Sequence, residues 1–115
     1  MQYEATSDYE VIDRNPLAIK AGDTVKVGRR DEGWDGWVWV STEDGRGSYV
    51  PEELLAEKHA EMGSDVEVTG EFTAKDLSII KGEVVDCLKE VKGWLWCRNG
   101  SGVEGWLPAY LMRAL

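Results

Sequence analysis

Two stretches decide the fold: Gly22-Asp23-Thr24-Val25-Lys26-Val27 and, sixty residues later, Gly82-Glu83-Val84-Val85-Asp86-Cys87. Each begins with a glycine and an acid and continues with alternating apolar residues, a pattern typical of a β-strand with one buried face. A short apolar segment precedes each stretch, at residues 17–20 and 77–80. The same pattern occurring twice in this order indicates an internal repeat.

The repeat continues into two tryptophan strands and a proline-containing segment. Trp37-Val38-Trp39-Val40 corresponds to Trp94-Leu95-Trp96-Cys97, and after seven residues Ser48-Tyr49-Val50-Pro51 corresponds to Gly105-Trp106-Leu107-Pro108. Glycine-rich turns at 43–47 and 99–102 predict hairpins, and each proline predicts a following 3₁₀ turn. We therefore expect strands near 24–30, 36–41 and 46–50, and again near 83–89, 94–98 and 103–107.

Composition and charge narrow the class of protein. The 115 residues are 43% hydrophobic and 30% charged, which is typical of a globular chain. The formal net charge of −9 and the lack of a Lys/Arg cluster argue against nucleic acid or an anionic membrane as the partner. The sequence has neither a long apolar run nor a signal pattern, so we expect a cytoplasmic protein, unless a leader has been removed.

Both copies resemble the Src homology 3 domain. In the first copy, Ala5-Thr6-Ser7-Asp8-Tyr9 is similar to the opening of that domain, and Gly22-Asp23, Trp37-Val38 and the segment 48–55 are similar to its later motifs. The second copy matches at Val68-Thr69-Gly70-Glu71-Phe72, Lys81-Gly82-Glu83 and Gly105-Trp106-Leu107-Pro108. The resemblance implies an all-β fold of two tandem five-stranded barrels, residues 1–56 and 66–115. Helical spacing of Leu54, Leu55, His59 and Met62 predicts a short helical linker at 57–65.

The resemblance also implies a function, the binding of extended and often proline-rich peptides in an aromatic groove. Carried over position by position, the groove residues are Tyr9, Trp37, Tyr49 and Pro51 in the first copy and Phe72, Trp94, Trp106 and Pro108 in the second. Trp34 lies in a longer loop of the first copy, and Asp76 keeps the family position of the acid that pairs with a basic ligand residue. Pro16 takes that position in the first copy, and Ser7, Gly70, Leu54 and Leu111 replace groove tyrosines.

The first copy is the predicted principal site, with Trp37 as its anchor. Its first loop is three residues longer than that of the second copy, and its segment 1–56 carries a net charge of −6. A rim for a basic ligand would comprise Asp8, Glu10, Asp13, Asp31, Glu32 and Asp35. The same acids could instead form an ordinary solvated surface.

The sequence is also consistent with two other functions. The protein could be a cell-wall or glycan-binding module, because tryptophan platforms suit sugar faces, or a scaffold without a working groove. Trp39 and Trp96 share strand parity with Trp37 and Trp94 and so project from the same face. They could extend an aromatic platform for a ligand, but a role in packing the two copies together, or another structural role, is the favoured interpretation. We expect no enzyme, cofactor or metal site, because paired acids, metal-ligand spacing and a nucleophile–base set are lacking in the sequence. The oligomeric state is left open.

The two cysteines are predicted to be structural. Cys87 and Cys97 align with Val27 and Val40 of the other copy, so they behave as small core residues. The chain is expected to turn near Lys92, which places the two cysteines opposite each other on adjacent strands as buried thiols. The single histidine, His59, is expected to be a solvated linker residue.

Overall fold

The computed structural model describes residues 1–12 and 15–115, and in these residues the protein is built from β-strands and two 3₁₀ turns. The strands in chain order are β1 (Gln2–Ala5), β2 (Ala18–Ile19), β3 (Thr24–Arg30), β4 (Trp37–Ser41), β5 (Gly47–Pro51), β6 (Asp65–Glu67), β7 (Phe72–Thr73), β8 (Val84–Val91), β9 (Trp94–Arg98), β10 (Glu104–Pro108) and β11 (Met112–Ala114).

The local predictions from the repeat are confirmed. The six expected strands lie within a few residues of β3, β4, β5, β8, β9 and β10. Hairpins β4–β5 and β9–β10 close at the two glycine-rich turns, and 3₁₀ turns at Glu52–Leu54 and Ala109–Leu111 follow the two prolines. The β8–β9 hairpin turns through Lys92 and Gly93, both with positive φ, as a two-residue turn between twisted strands requires.

The chain forms two compact units, and their boundaries cross those of the repeat. The first, which we call the composite unit, comprises Met1–Arg14 and Lys75–Leu115. The second, the continuous unit, is Asn15–Ala74. The predicted boundaries, 1–56 and 66–115 around a linker at 57–65, therefore do not describe these units.

The cause is an exchange of first strands between the two copies. Strand β1 begins the first copy but pairs with β8 and β11 of the second, giving a five-stranded sheet in the order β10-β9-β8-β1-β11. Strand β6 begins the second copy but pairs with β3 of the first, giving the sheet β5-β4-β3-β6. Each sheet thus receives an equivalent strand from the other copy.

The exchange includes the arms of the first long loop. In the composite unit Tyr9 bridges Ile79, whereas in the continuous unit β2 pairs with β7. The chain passes between units close to residues 14–15 and 74–75. In chain topology, the continuous unit is an insertion in the long loop of the composite unit.

The helix predicted between the copies is not observed. Residues 55–64 form a bridge, bends and turns. The backbone of this segment is committed to strand β3, because Val27 N–H donates to Ser64 O and Gly63 N–H donates to Val27 O. Met62 is 71% exposed, whereas Leu55 is buried in the core of the continuous unit.

Each unit has its own apolar core on the inner face of its strands. In the continuous unit the core includes Val38, Val40 and Val50 together with Val66 and Val68 of the exchanged segment. In the composite unit Leu95, Cys97 and Leu107 pack with Ala5 of β1. The inward-facing apolar residues of β1 and β6 are therefore buried in the core of the unit whose sheet the strand joins.

Candidate functional site

The most complete set of predicted groove residues lies in the composite unit and draws on both copies. The Tyr9 hydroxyl donates to Asp76 Oδ2 at 3.2 Å, although 67 residues separate the two in sequence. Burial, followed by the nearby Asp76 carboxylate, raises the pKa of Tyr9 well above its ordinary value near 10. An aromatic ring and a carboxylate are thus fixed side by side.

Strand pairing connects this pair to Trp94. Asp76 bridges Trp106 in parallel fashion, with Leu77 N–H donating to Trp106 O at 3.1 Å and Trp106 N–H donating to Lys75 O at 2.9 Å. At the other end of β10, Pro108 lies opposite Trp94. The Trp94 side chain is half-buried, and Tyr110, beyond Pro108, is 71% exposed. The Tyr9–Asp76 pair, Trp94 and Tyr110 thus all belong to the composite unit, and β10 pairs with both the Asp76 arm and the strand that carries Trp94.

Gly105 allows the Asp76 arm to lie directly against β10. A Cβ atom on this glycine would be 2.7 Å from the backbone carbon of Asp76 and 2.7 Å from the nitrogen of Leu77. No side-chain rotation could relieve such a contact. The glycine in Gly105-Trp106-Leu107-Pro108 is therefore required by close backbone packing.

The predicted anchor of the first copy is less accessible than its counterpart. Trp37 is only 5% exposed, and its ring meets Phe72 edge-on with centroids 6.3 Å apart. Phe72 was assigned to the other copy from the sequence, but the strand exchange brings it to Trp37 and takes Tyr9 to the unit of Trp94. Pro51, opposite Trp37 in the sheet, is buried, and Trp34 is half-buried.

The remaining predicted groove residues contact the second tryptophans. Tyr49 lies opposite Trp39, with ring centroids 5.2 Å apart, and Trp106 lies opposite Trp96, with centroids 5.1 Å apart. Trp106 is 5% exposed, and the Lys89 ammonium lies 5.7 Å from its ring centroid. Trp106 therefore supports the site through its backbone hydrogen bonds to Lys75 and Leu77, because its buried ring offers little surface to a ligand.

Trp39 and Trp96 both pack within their own units. The Trp39 ring covers Gly28 and Gly47 on the two neighbouring strands, where added Cβ atoms would lie 2.8 Å and 2.5 Å from it. The Trp96 indole N–H donates to Glu104 Oε1 at 2.8 Å. This hydrogen bond, followed by that of Arg98, lowers the pKa of Glu104. A structural role for both tryptophans agrees with these contacts.

The acids proposed as one rim are divided between the units. Asp8 and Glu10 belong to the composite unit, whereas Asp31, Glu32 and Asp35 belong to the continuous unit. Asp13 lies outside the described residues. His59, expected to be solvated, is exposed.

The cysteines lie opposite each other, as predicted. Cys87 of β8 is in register with Cys97 of β9, and both are free thiols. Cys97 is fully buried, whereas Cys87 is partly exposed, so the prediction that both are buried is right for Cys97 only. Burial, together with the adjacent Cys87, raises the pKa of Cys97 to about 12.

Comparison with known proteins supports the resemblance over the first half of the chain. Residues 3–58 match the family model of the variant SH3 domain. This sequence match spans both structural units, since β1 belongs to the composite unit and residues 15–58 belong to the continuous unit. None of the curated proteins compared with the chain matches it.

Among the described residues, no helix has the length and apolar character needed to cross a membrane. Within residues 1–12 and 15–115, no three His, Cys, Asp or Glu side chains are grouped closely enough to hold a metal ion.

Proposed function

We propose that the protein is a non-catalytic interaction module whose composite unit binds an extended, proline-rich or basic peptide segment of a partner protein. The observation that carries the proposal is the Tyr9–Asp76 pair, which lies in the same unit as the partly exposed Trp94. SH3-type domains are a common protein-interaction fold, which supports this class of function.

The chemistry of these side chains suits such a ligand. A polyproline helix is already ordered before binding, so aromatic rings can hold it at a small entropic cost. The Asp76 carboxylate beside them favours a Lys or Arg in the ligand. Tyr9 holds Asp76 in place through its hydroxyl, which orients the carboxylate before a peptide arrives.

The side-chain exposures shift the proposed anchor from Trp37 to Trp94. A ring that is 5% exposed offers little surface to a peptide, whereas Trp94 and Tyr110 both retain accessible surface. The longer loop of the first copy therefore does not make Trp37 more accessible than Trp94. We place the principal site in the composite unit.

A peptide titration tests the proposal. ¹⁵N-labelled protein is titrated with a proline-rich peptide that carries an Arg and with the same peptide carrying Glu instead. The Trp94 indole signal is expected to shift with the Arg peptide, and the affinity should fall by ~5-fold in Asp76→Asn, the effect of an exposed ion pair.

Asp86→Asn is the matched control, because Asp86 is an exposed carboxylate elsewhere on the same unit. It should leave the affinity unchanged. Shifts confined to the Trp37 indole, or equal binding of the Arg and Glu peptides, would contradict the assignment to the composite unit.

A further inference from the structure

The cysteine pair has chemistry that peptide binding does not use. Cys87 and Cys97 face each other across β8 and β9 on the core side of the sheet, in the sequence positions of Val27 and Val40 in the continuous unit. Both are free thiols. Two thiols are therefore held at adjacent positions where the other copy has two methyl-bearing side chains.

The hydrogen bonds show which type of cross-strand pair this is. Cys87 N–H donates to Met1 O at 2.7 Å, so the Cys87 backbone points towards the N-terminal strand and away from β9. Cys87 and Cys97 are thus a non-hydrogen-bonded pair, in which the Cα atoms of antiparallel strands lie about 4.5 Å apart and the side chains approach closely. That separation lies inside the range of roughly 4.4–6.8 Å over which disulfides form.

We propose that Cys87 and Cys97 are a site of reversible oxidation that closes to a cross-strand disulfide within the composite unit. The oxidant is a small-molecule disulfide. The Cys87 thiolate attacks one of its sulfurs and releases one thiolate, and Cys97 then attacks the Cys87 sulfur of the mixed disulfide and releases the second. The two protons lost by the cysteines are taken up by these leaving groups, so two protein thiols and one small disulfide become one protein disulfide and two small thiols.

Accessibility sets the order of the two attacks. Cys87 is partly exposed, and its thiol donates to Lys89 O at 3.5 Å beside the bulge of β8. Cys97 is fully buried, and its raised pKa keeps it protonated, so it reacts poorly with an external reagent. Once Cys87 carries the mixed disulfide, Cys97 is the adjacent thiol that can resolve it.

Glutathione disulfide is the probe for the test, used on the full chain and on two single variants. The wild type is expected to lose both free thiols and two hydrogen atoms by intact mass, to retain no glutathione and to recover both thiols with dithiothreitol. Cys97→Val should retain one glutathione, on Cys87. Cys87→Val should react at least tenfold more slowly than Cys97→Val, because its remaining thiol is buried.

Valine fills both positions in the continuous unit, so these variants preserve the apolar pairing, and circular dichroism checks their fold. Mapping of the oxidised wild type provides an independent measurement, in which the peptides containing residues 87 and 97 should be joined within one chain. Persistence of both thiols under conditions that oxidise the unfolded chain, a stable mixed disulfide on the wild type, or covalent dimers would each overturn the proposal.

Discussion

Replacing Gly105 with alanine perturbs the contact that holds the Asp76 arm against β10. The new Cβ would lie 2.7 Å from the Asp76 carbon, 2.7 Å from the Leu77 nitrogen and 2.8 Å from the Asp76 oxygen. All three are backbone atoms, so the two segments must separate. Reaching an ordinary carbon contact of ~3.5 Å requires a shift of ~0.8 Å.

The expected cost follows from what that shift disrupts. Leu77 N–H to Trp106 O is 3.1 Å and Trp106 N–H to Lys75 O is 2.9 Å, and lengthening both by this amount takes them beyond hydrogen-bonding distance. Overpacking typically costs ~1–3 kcal/mol, and each weakened hydrogen bond adds about 0.5–1.5 kcal/mol. We expect Gly105→Ala to lower the free energy of unfolding by about 2–6 kcal/mol.

Guanidinium unfolding followed by tryptophan fluorescence measures this loss, with Gly100→Ala as the matched control. Gly100 lies in an exposed turn with no atom within 4 Å of an added Cβ, so its substitution should change the stability by less than ~1 kcal/mol. Gly105→Ala should also weaken peptide binding, because it displaces Asp76. A Gly105→Ala protein as stable as the control, with unchanged peptide affinity, would refute the close packing of this arm.

Three further predictions follow from the turns, the titrating groups and the unit boundaries. Because the pKa of Tyr9 is raised in the folded protein, its contribution to the free energy of unfolding is complete below the unfolded pKa near 10 and is lost as the pH rises above that value. The free energy of unfolding, measured at increasing pH, should therefore fall less in Tyr9→Phe than in the wild type. An identical fall in both proteins would contradict this. Lys92 has φ +44° in a two-residue turn, and asparagine adopts positive φ at a lower cost than lysine. Lys92→Asn should therefore raise the free energy of unfolding, measured by thermal denaturation, by ~0.5–1 kcal/mol. A loss of stability would count against this turn geometry. Finally, the fragment 15–74 should show a cooperative unfolding transition by calorimetry, whereas the fragment 1–58 should not, because only the fragment 15–74 contains a complete compact unit. The reverse result would show that the folding units follow the boundaries of the sequence repeat.

Local structure was predictable because the relevant signals are local. The alternating apolar residues of β3 and β8, the glycine-rich hairpins, and Pro51 and Pro108 before the 3₁₀ turns each depend on a few neighbouring residues. The facing of Cys87 and Cys97 was expected from their equal distance from Lys92, but the turn comprises Lys92 and Gly93. A one-residue bulge between Cys87 and Lys89 brings the two cysteines into register. Such features need no knowledge of which strands meet in three dimensions.

The exchange of β1 and β6 could not be derived in the same way. Both strands place apolar residues at alternate positions, and both partners, β3 and β8, present the same pattern, so either pairing buries the apolar face. One signal was available in the short connection after Leu55. Consecutive elements are usually neighbours, and here Leu55 bridges Val68 and Ala56 N–H donates to Glu67 O.

The site was only partly predictable for the same reason. The resemblance supplied the residue types of the proposed groove, but their grouping by copy differs in the structure, because Tyr9 and Phe72 pair with residues of the other copy. The burial of Trp37 likewise depends on its tertiary surroundings, including Phe72 from the other copy. Sequence spacing alone carries no information on such contacts.

An engineered disulfide tests the strand exchange most directly. Both native cysteines are first replaced by valine. In one variant Gln2→Cys is combined with Asp86→Cys, because Gln2 of β1 pairs with Asp86 of β8. In the other it is combined with Lys26→Cys, because Lys26 of β3 is the repeat equivalent of Asp86 but pairs with Asp65. Mild oxidation of dilute protein, followed by intact mass and peptide mapping, should show an intramolecular disulfide in the 2/86 pair and free thiols in the 2/26 pair. A disulfide in the 2/26 pair with free thiols in the 2/86 pair would contradict the exchange, and with it the grouping of Tyr9 with Asp76 and Trp94.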